Sequence, residues 1–142
     1  MAIDKSNPQF ELELCAPEAA RLVLKVKEVI LPGAAGVLTV RKGHTPLLTT
    51  LIPGALIITD AAGEEEFYAV NGGFAEVVDD RVLVLTSGYE QRGMIDLKRA
   101  EVARERAEMR LRKREEGIDL ARAEAALARS LARMQAEKRQ HY

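Results

Sequence analysis

Four arginines in the last third of the chain, Arg99, Arg106, Arg129 and Arg133, are the side chains whose spacing most suggests binding chemistry. If Gly117 is a turn between two antiparallel helices, Arg106 lies eleven residues before it and Arg129 twelve after, while Arg99 lies eighteen before and Arg133 sixteen after. Such a hairpin brings two like-charged pairs near one another. At about 6 Å and an effective dielectric of about 20, two unit charges repel by roughly 3 kcal/mol, so an anion between them is stabilising. A triphosphate is such an anion. The same arginines equally suit a solvated helix surface, with Asp96 and Asp119 as simple helix caps.

Other chemistry is sparse. His44 and His141 are the only histidines, and His44, in Lys42-Gly43-His44-Thr45-Pro46, has no nearby carboxylate in sequence to make it a general base. There is no Walker-type glycine loop, no Gly-x-Ser-x-Gly elbow and no His-Glu-x-x-His pair. Glu90 and Asp96 could form a carboxylate pair for acid-base work, the weakest of the readings. Cys15 is the single cysteine, so it forms no disulfide within the chain, and no Cys/His cluster has zinc spacing. A reducing compartment, no catalysis and no metal are expected.

The elements that must position the arginines are helices. From Asp96 onward there is no proline and only one glycine, Gly117, among abundant Ala, Glu, Arg, Leu and Met. Asp96 and Asp119 suit N-caps, and Gly117 suits a left-handed helix end. A short repeat, Ile95-Asp96-Leu97-Lys98-Arg99-Ala100-Glu101 against Ile118-Asp119-Leu120-Ala121-Arg122-Ala123-Glu124, marks two similar helix starts. Stripes of Ala100, Ala103, Ala107 and of Ala121, Ala125, Ala128, Ala132 predict close antiparallel packing. They leave Leu120, Leu127, Leu131 and Met134 for either the N-terminal part of the chain or another partner.

Residues 9 to 85 alternate in polarity instead, as in Phe10, Leu12, Leu14 and Leu22, Leu24, Val26, which is the period of strands. Further strands are expected at 37–40, 55–59, 66–70, 74–78 and 81–85. Between them stand the turn signals Pro17, Pro32-Gly33, Pro53-Gly54, Gly63, Asn71-Gly72-Gly73 and Asp79-Asp80, a density that favours a sandwich or barrel. The predicted fold class is α+β: an antiparallel β-sandwich over residues 1–90, then a two-helix hairpin over 91–142.

With 47% hydrophobic residues but only 4% aromatic and no Trp, the core must be aliphatic, and no stacking platform for nucleic acid is visible. The N-terminal stretch to Phe10 has no apolar leader-like region, and no run is long enough to cross a bilayer, so membrane association is expected only through partners. The net charge of −1 divides unevenly: residues 1–90 carry net −6 and the remainder +5.

Successive segments carry a family resemblance: Leu31-Pro32-Gly33, Gly43-His44-Thr45-Pro46-Leu47-Leu48-Thr49, Pro53-Gly54-Ala55-Leu56, Asn71-Gly72-Gly73-Phe74-Ala75-Glu76-Val77 and Ile95-Asp96-Leu97-Lys98-Arg99-Ala100. In this order they resemble the landmarks of the epsilon subunit of F-type rotary ATP synthases, over nearly the whole chain. The family often has Gly and Pro where Thr39 and Lys42 stand, and acidic residues in the loop held here by Ala35 and Val37.

The resemblance implies a non-catalytic regulatory subunit of the central stalk, coupling proton or sodium ion flow to ATP synthesis. It implies as partners the gamma subunit, the c-ring and the alpha/beta catalytic head, with no nucleic acid. It implies a peripheral position on the cytoplasmic face of the bacterial inner (plasma) membrane. Ala35, Val37 and His44 would contact the rotor ring. The hairpin would restrain ATP hydrolysis when extended and release it when folded on the sandwich. No cofactor is required, but some members bind ATP through a motif like Ile95-Asp96-x-x-Arg99-Ala100. That gives Glu90, placed to contact the base, Ile95, Asp96, Arg99, Ala100, Arg106, Arg129 and Arg133 as the ATP-binding set. The alternative is a free-standing adaptor or chaperone-like module whose basic hairpin holds an acidic protein or RNA.

Overall fold

The computed structural model describes residues 8–113, 117 and 119–142. Eight strands come first: β1 (Phe10–Cys15), β2 (Leu22–Val26), β3 (Glu28–Leu31), β4 (Leu38–Arg41), β5 (Leu47–Thr59), β6 (Glu65–Val78), β7 (Arg81–Leu85) and β8 (Tyr89–Gln91). A short 3₁₀ turn, Arg92–Met94, leads into α1 (Leu97–Lys113) and α2 (Leu120–Glu137). Neighbouring strands run in the order β2-β1-β7-β6-β5-β3-β4, with β8 also on β6, and the one parallel pairing in that order is β1 with β7.

The long hairpin of β5 and β6 makes the two layers. Its Leu47–Leu51 and Gly73–Val77 portion joins β7, β1 and β2, while its Gly54–Thr59 and Glu65–Val70 portion joins β3, β4 and β8. Between the layers lies an aliphatic core in which Leu12 and Leu14 meet residues such as Val29, Leu56 and Val70, each fully buried. Period-two alternation explains the sidedness: Phe10, Leu12 and Leu14 point inward while Glu11 and Glu13 stay partly exposed.

The sequence reading of two breaks needs correction. Pro53-Gly54 and Asn71-Gly72-Gly73 do not end strands; they pair with each other inside them, Pro53 opposite Asn71 and Leu51 opposite Gly73. Gly73 bends β6 at φ +122°, where a Cβ would lie 1.9 Å from the Leu85 carbonyl oxygen, so only glycine fits. β3 and β8, of four and three residues, escaped the pattern because so short a run carries little periodicity.

Both helices start at their predicted N-caps, while the chain between Lys113 and Gly117, where the first helix was expected to end, lies outside the described residues. Asp96 Oδ1 accepts the Arg99 N–H at 3.0 Å, Asp119 Oδ1 accepts the Arg122 N–H at 3.1 Å, and Gly117 has φ +86°. Ile118, part of the repeat, lies outside the described residues. α2 rests on β5 and β6, and α1 packs on α2.

This layering corrects the predicted stripe on α2. Ala132 is buried, Ala125 and Ala128 are half-buried, and Ala121 is exposed, because α2 has two covered sides rather than one and buries Ala123, Ser130, Met134 and Ala136 as well. Of the apolar face left open by the sequence, Met134 is buried and Leu127 half-buried, while Leu120 and Leu131 remain exposed.

A second, smaller apolar cluster joins the helices to the sandwich. Ala55 and Ile57 of β5 and Phe67 and Ala69 of β6 face away from the main core and meet Ala136 and Ile95, with Ile30 at the margin. The strand segments 55–58 and 67–70 are therefore buried on both faces, which is why they read as continuous apolar runs.

Candidate functional site

Glu90, Asp96, Arg99, Ala100, Arg106 and Arg133 line one groove of about 470 Å³, with Met94, Val102 and Ala103. Three elements deliver them. Pairing of β8 with β6 sets Glu90 opposite Ala69 and fixes it to the sandwich. Capping by Asp96 starts α1 so that Arg99 and Arg106, seven residues apart and thus two turns, share a face, with Ala100 and Ala103 as a low floor between them. Arg133 arrives from α2.

The groove is electrostatically unequal. Three guanidinium groups face two carboxylates, giving a local charge of +1. Arg133 Nε donates to Glu90 Oε1 at 2.6 Å, a pair about one-third exposed on each side, so its net worth is of order 0.5–1 kcal/mol. Asp96 is engaged with the helix start, and among the described residues Arg99 and Arg106 are in no ion pair. Two unneutralised guanidiniums above a small-residue floor suit a multiply charged anion with several oxygens. Met94 and Val102, 78% and 52% exposed, give the rim an apolar edge that a flat ring could cover.

Two members of the sequence-derived set stand apart. Ile95 is buried in the cluster beneath α2 and supports the start of α1 from inside. Arg129 shares the α2 face of Arg133 but sits one turn nearer Gly117, outside the groove lining. Sequence reasoning missed Met94 and Val102, although the motif placed them beside Ile95 and three residues after Arg99.

Arg92 adds a further tie between sandwich and arm, its Nε donating to the Glu137 carbonyl at 3.1 Å. Ala35 and Val37 are exposed in the β3–β4 loop. His44 lies beyond the other end of the four-residue β4, half-buried, with Nδ1 2.7 Å from the Thr45 carbonyl. Those three positions do not form one loop surface.

Elsewhere, the outer face of the β5–β6–β7 region carries Leu48, Ile52, Phe74 and Leu85, all exposed, beside a shallow hollow of about 420 Å³ reaching Cys15 and Pro17. Burial and the adjoining Glu13 carboxylate hold the Cys15 thiol above its usual value, so it stays protonated and is a poor nucleophile. Among the described residues no group of His, Cys, Asp and Glu could hold a metal ion.

Comparison with known proteins converges on one family. Residues 9–92 match the family described as ATP synthase, Delta/Epsilon chain, beta-sandwich domain, and residues 94–138 match the ATP synthase, Delta/Epsilon chain, long alpha-helix domain. The ATP synthase epsilon chain of Desulforapulum autotrophicum is 44% identical over 123 residues, 87% of this chain and 91% of the relative. That of Moorella thermoacetica is 45% identical over 127 residues, 89% and 95%. A chain in the Euglena gracilis mitochondrial ATP synthase OSCP/F1/c-ring assembly superposes with a TM-score of 0.76 at 25% identity, covering 85% of this chain and 76% of its own.

Proposed function

The chain belongs to the delta/epsilon-chain family of ATP synthases, as a non-catalytic epsilon-type subunit of the F-type central stalk, and from this premise we propose that its helical hairpin is a mobile arm held folded by bound ATP. The observation that carries the reading is the groove in which Arg99 and Arg106 of α1, Arg133 of α2 and Glu90 of the sandwich converge. ATP there bridges the two helices through its phosphates, on Arg99, Arg106 and Arg133, and reaches the sandwich through its base, beside Glu90. It stabilises the folded arrangement by mass action, by about 2.7 kcal/mol at a hundred times its dissociation constant. Met94 and Val102 supply the contact for the base.

Extension of the arm would uncover Ala55, Ile57, Phe67 and Ala69 and break the Glu90–Arg133 pair, so it requires a competing surface. The +5 charge of residues 91–142 fits an acidic one, and the alpha/beta catalytic head is the proposed site at which the extended arm restrains hydrolysis. The exposed Leu48, Ile52, Phe74 and Leu85 face suits the gamma subunit. The loops bearing Ala35, Val37 and His44 are the proposed contacts to the c-ring. Among the described residues no helix is long and apolar enough to cross a membrane. A peripheral place on the cytoplasmic face of a bacterial plasma membrane, reached through the complex, follows from these partners.

Calorimetric titration of the full chain with ATP tests the groove. Saturable binding that weakens roughly tenfold or more in Arg99→Ala and in Arg133→Ala is expected, the loss typical of a charged hydrogen-bond partner. No heat at millimolar nucleotide, or equal binding by both variants, removes ATP from the account.

A further inference from the structure

α2 stops in a way that returns the chain to the sandwich. The Gln140 N–H donates to the Gln135 carbonyl at 3.0 Å and the Arg139 N–H to the Ala136 carbonyl at 3.2 Å, the paired bonds of a Schellman stop. Its left-handed position is held by Arg139 at φ +52°, a conformation glycine takes freely and arginine resists. The Gln135 side chain closes the turn, its Nε2 donating to the Gln140 carbonyl at 3.0 Å.

The turn delivers His141 and Tyr142 onto β5 and β6. Tyr142 Oη donates to the Ala55 carbonyl at 2.7 Å, directly over Gly54. A Cβ at Gly54 would lie 2.6 Å from that hydroxyl oxygen and 2.7 Å from Pro32 Cβ, so the absent side chain opens the place the hydroxyl occupies. His141 Nε2 lies 2.7 Å from Glu65 Oε2, and its ring stands edge-on to Phe67 with centroids 5.3 Å apart at 82°.

We infer that the sandwich carries a binding seat, formed by Pro32, Gly54, Ala55, Glu65 and Phe67, whose ligand is the chain's own His141-Tyr142, and that this pair is a releasable latch on the folded arm. Each contact exists only while α2 lies on β5 and β6, so all of its stabilisation falls on the folded side of the equilibrium. The latch is also built to let go: about half of Tyr142 remains exposed, whereas Ala136, six residues earlier, has no exposed surface. The seat shares no residue with the nucleotide groove. The latch is thus separate from that groove, and the inference rests on the arm motion proposed above but not on ATP.

Hydrogen exchange on the full chain separates the two. In Tyr142→Phe, which loses one neutral hydrogen bond, α2 amides around Ala132–Ala136 should exchange about fivefold faster. In Tyr142→Ala, which also loses the ring contact, the expected increase is about ten- to thirtyfold. His141→Ala should act in the same direction, and β1 and β7 amides should stay unchanged in every variant. Unchanged α2 exchange in both alanine variants overturns the latch, as does an acceleration shared equally by β1 and β7. Adding ATP to the same samples reads the nucleotide proposal separately: failure to slow α2 exchange sinks that proposal and leaves the latch standing.

Discussion

The two halves of this molecule bury apolar surface in different ways. Between the sandwich layers, Leu, Ile and Val from both layers interdigitate, and many have no exposed surface at all. Between sandwich and hairpin the contact is one helix thick and rests on small residues, with Ala136 set among Ala55, Ile57, Phe67 and Ala69 and flanked by a few polar ties. The first arrangement makes a body that unfolds as a unit. The second makes a docking contact that can part while the body stays intact, which is what an arm needs.

Damage to each interface alone should have different consequences. Leu12→Ala empties a fully buried position in the main core and should cost about 2–5 kcal/mol of global stability, seen as parallel loss of strand and helix signals on denaturant unfolding. Ala136→Asp places a charge where no surface is exposed and should cost about 2–3 kcal/mol of docking, with helix exchange accelerated but the strand midpoint almost unmoved. If Ala136→Asp instead lowers the strand and helix signals together, sandwich and hairpin form one cooperative unit and the arm reading fails.

A smaller effect separates two tyrosines, one in each kind of contact. Burial, helped by the Glu66 carboxylate, pushes the Tyr68 phenol up to about 12, and burial also raises Tyr142. An unfolded phenol ionises near pH 10. Above that value the unfolded chain releases protons that the folded chain keeps, so stability present at neutral pH is lost as pH rises from about 10 towards 12. Spectroscopic titration should show one phenol ionising only near pH 12, and Tyr68→Phe should abolish it. Tyr142→Phe should reduce the alkaline loss of α2 docking without altering that late titration.

Much of this was legible in the sequence, and the failures have physical causes. The hairpin could be read because Asp96, Asp119 and Gly117 mark its ends and no proline interrupts it. The sandwich could be read from period-two runs such as Phe10-Leu12-Leu14. The continuity of β5 and β6 could not, because Pro53-Gly54 and Asn71-Gly72-Gly73 look like turns until their cross-strand pairing is seen. Counting outward from Gly117 brought Arg99, Arg106 and Arg133 to one place, but it could not give helix rotation, and so it also gathered Arg129. The Glu90–Arg133 pair depends on β8, too short to read, and the Tyr142 seat depends on residues 87 positions apart.

In the proposed function the hairpin is a separable brake on a body that folds and assembles without it. This role is tested most directly by ATP hydrolysis in the assembled synthase carrying either the full chain or residues 1–90 alone. The truncated chain should still fold and assemble, and hydrolysis should rise. Assembly with unchanged hydrolysis, under conditions where hydrolysis is measurable, would contradict it.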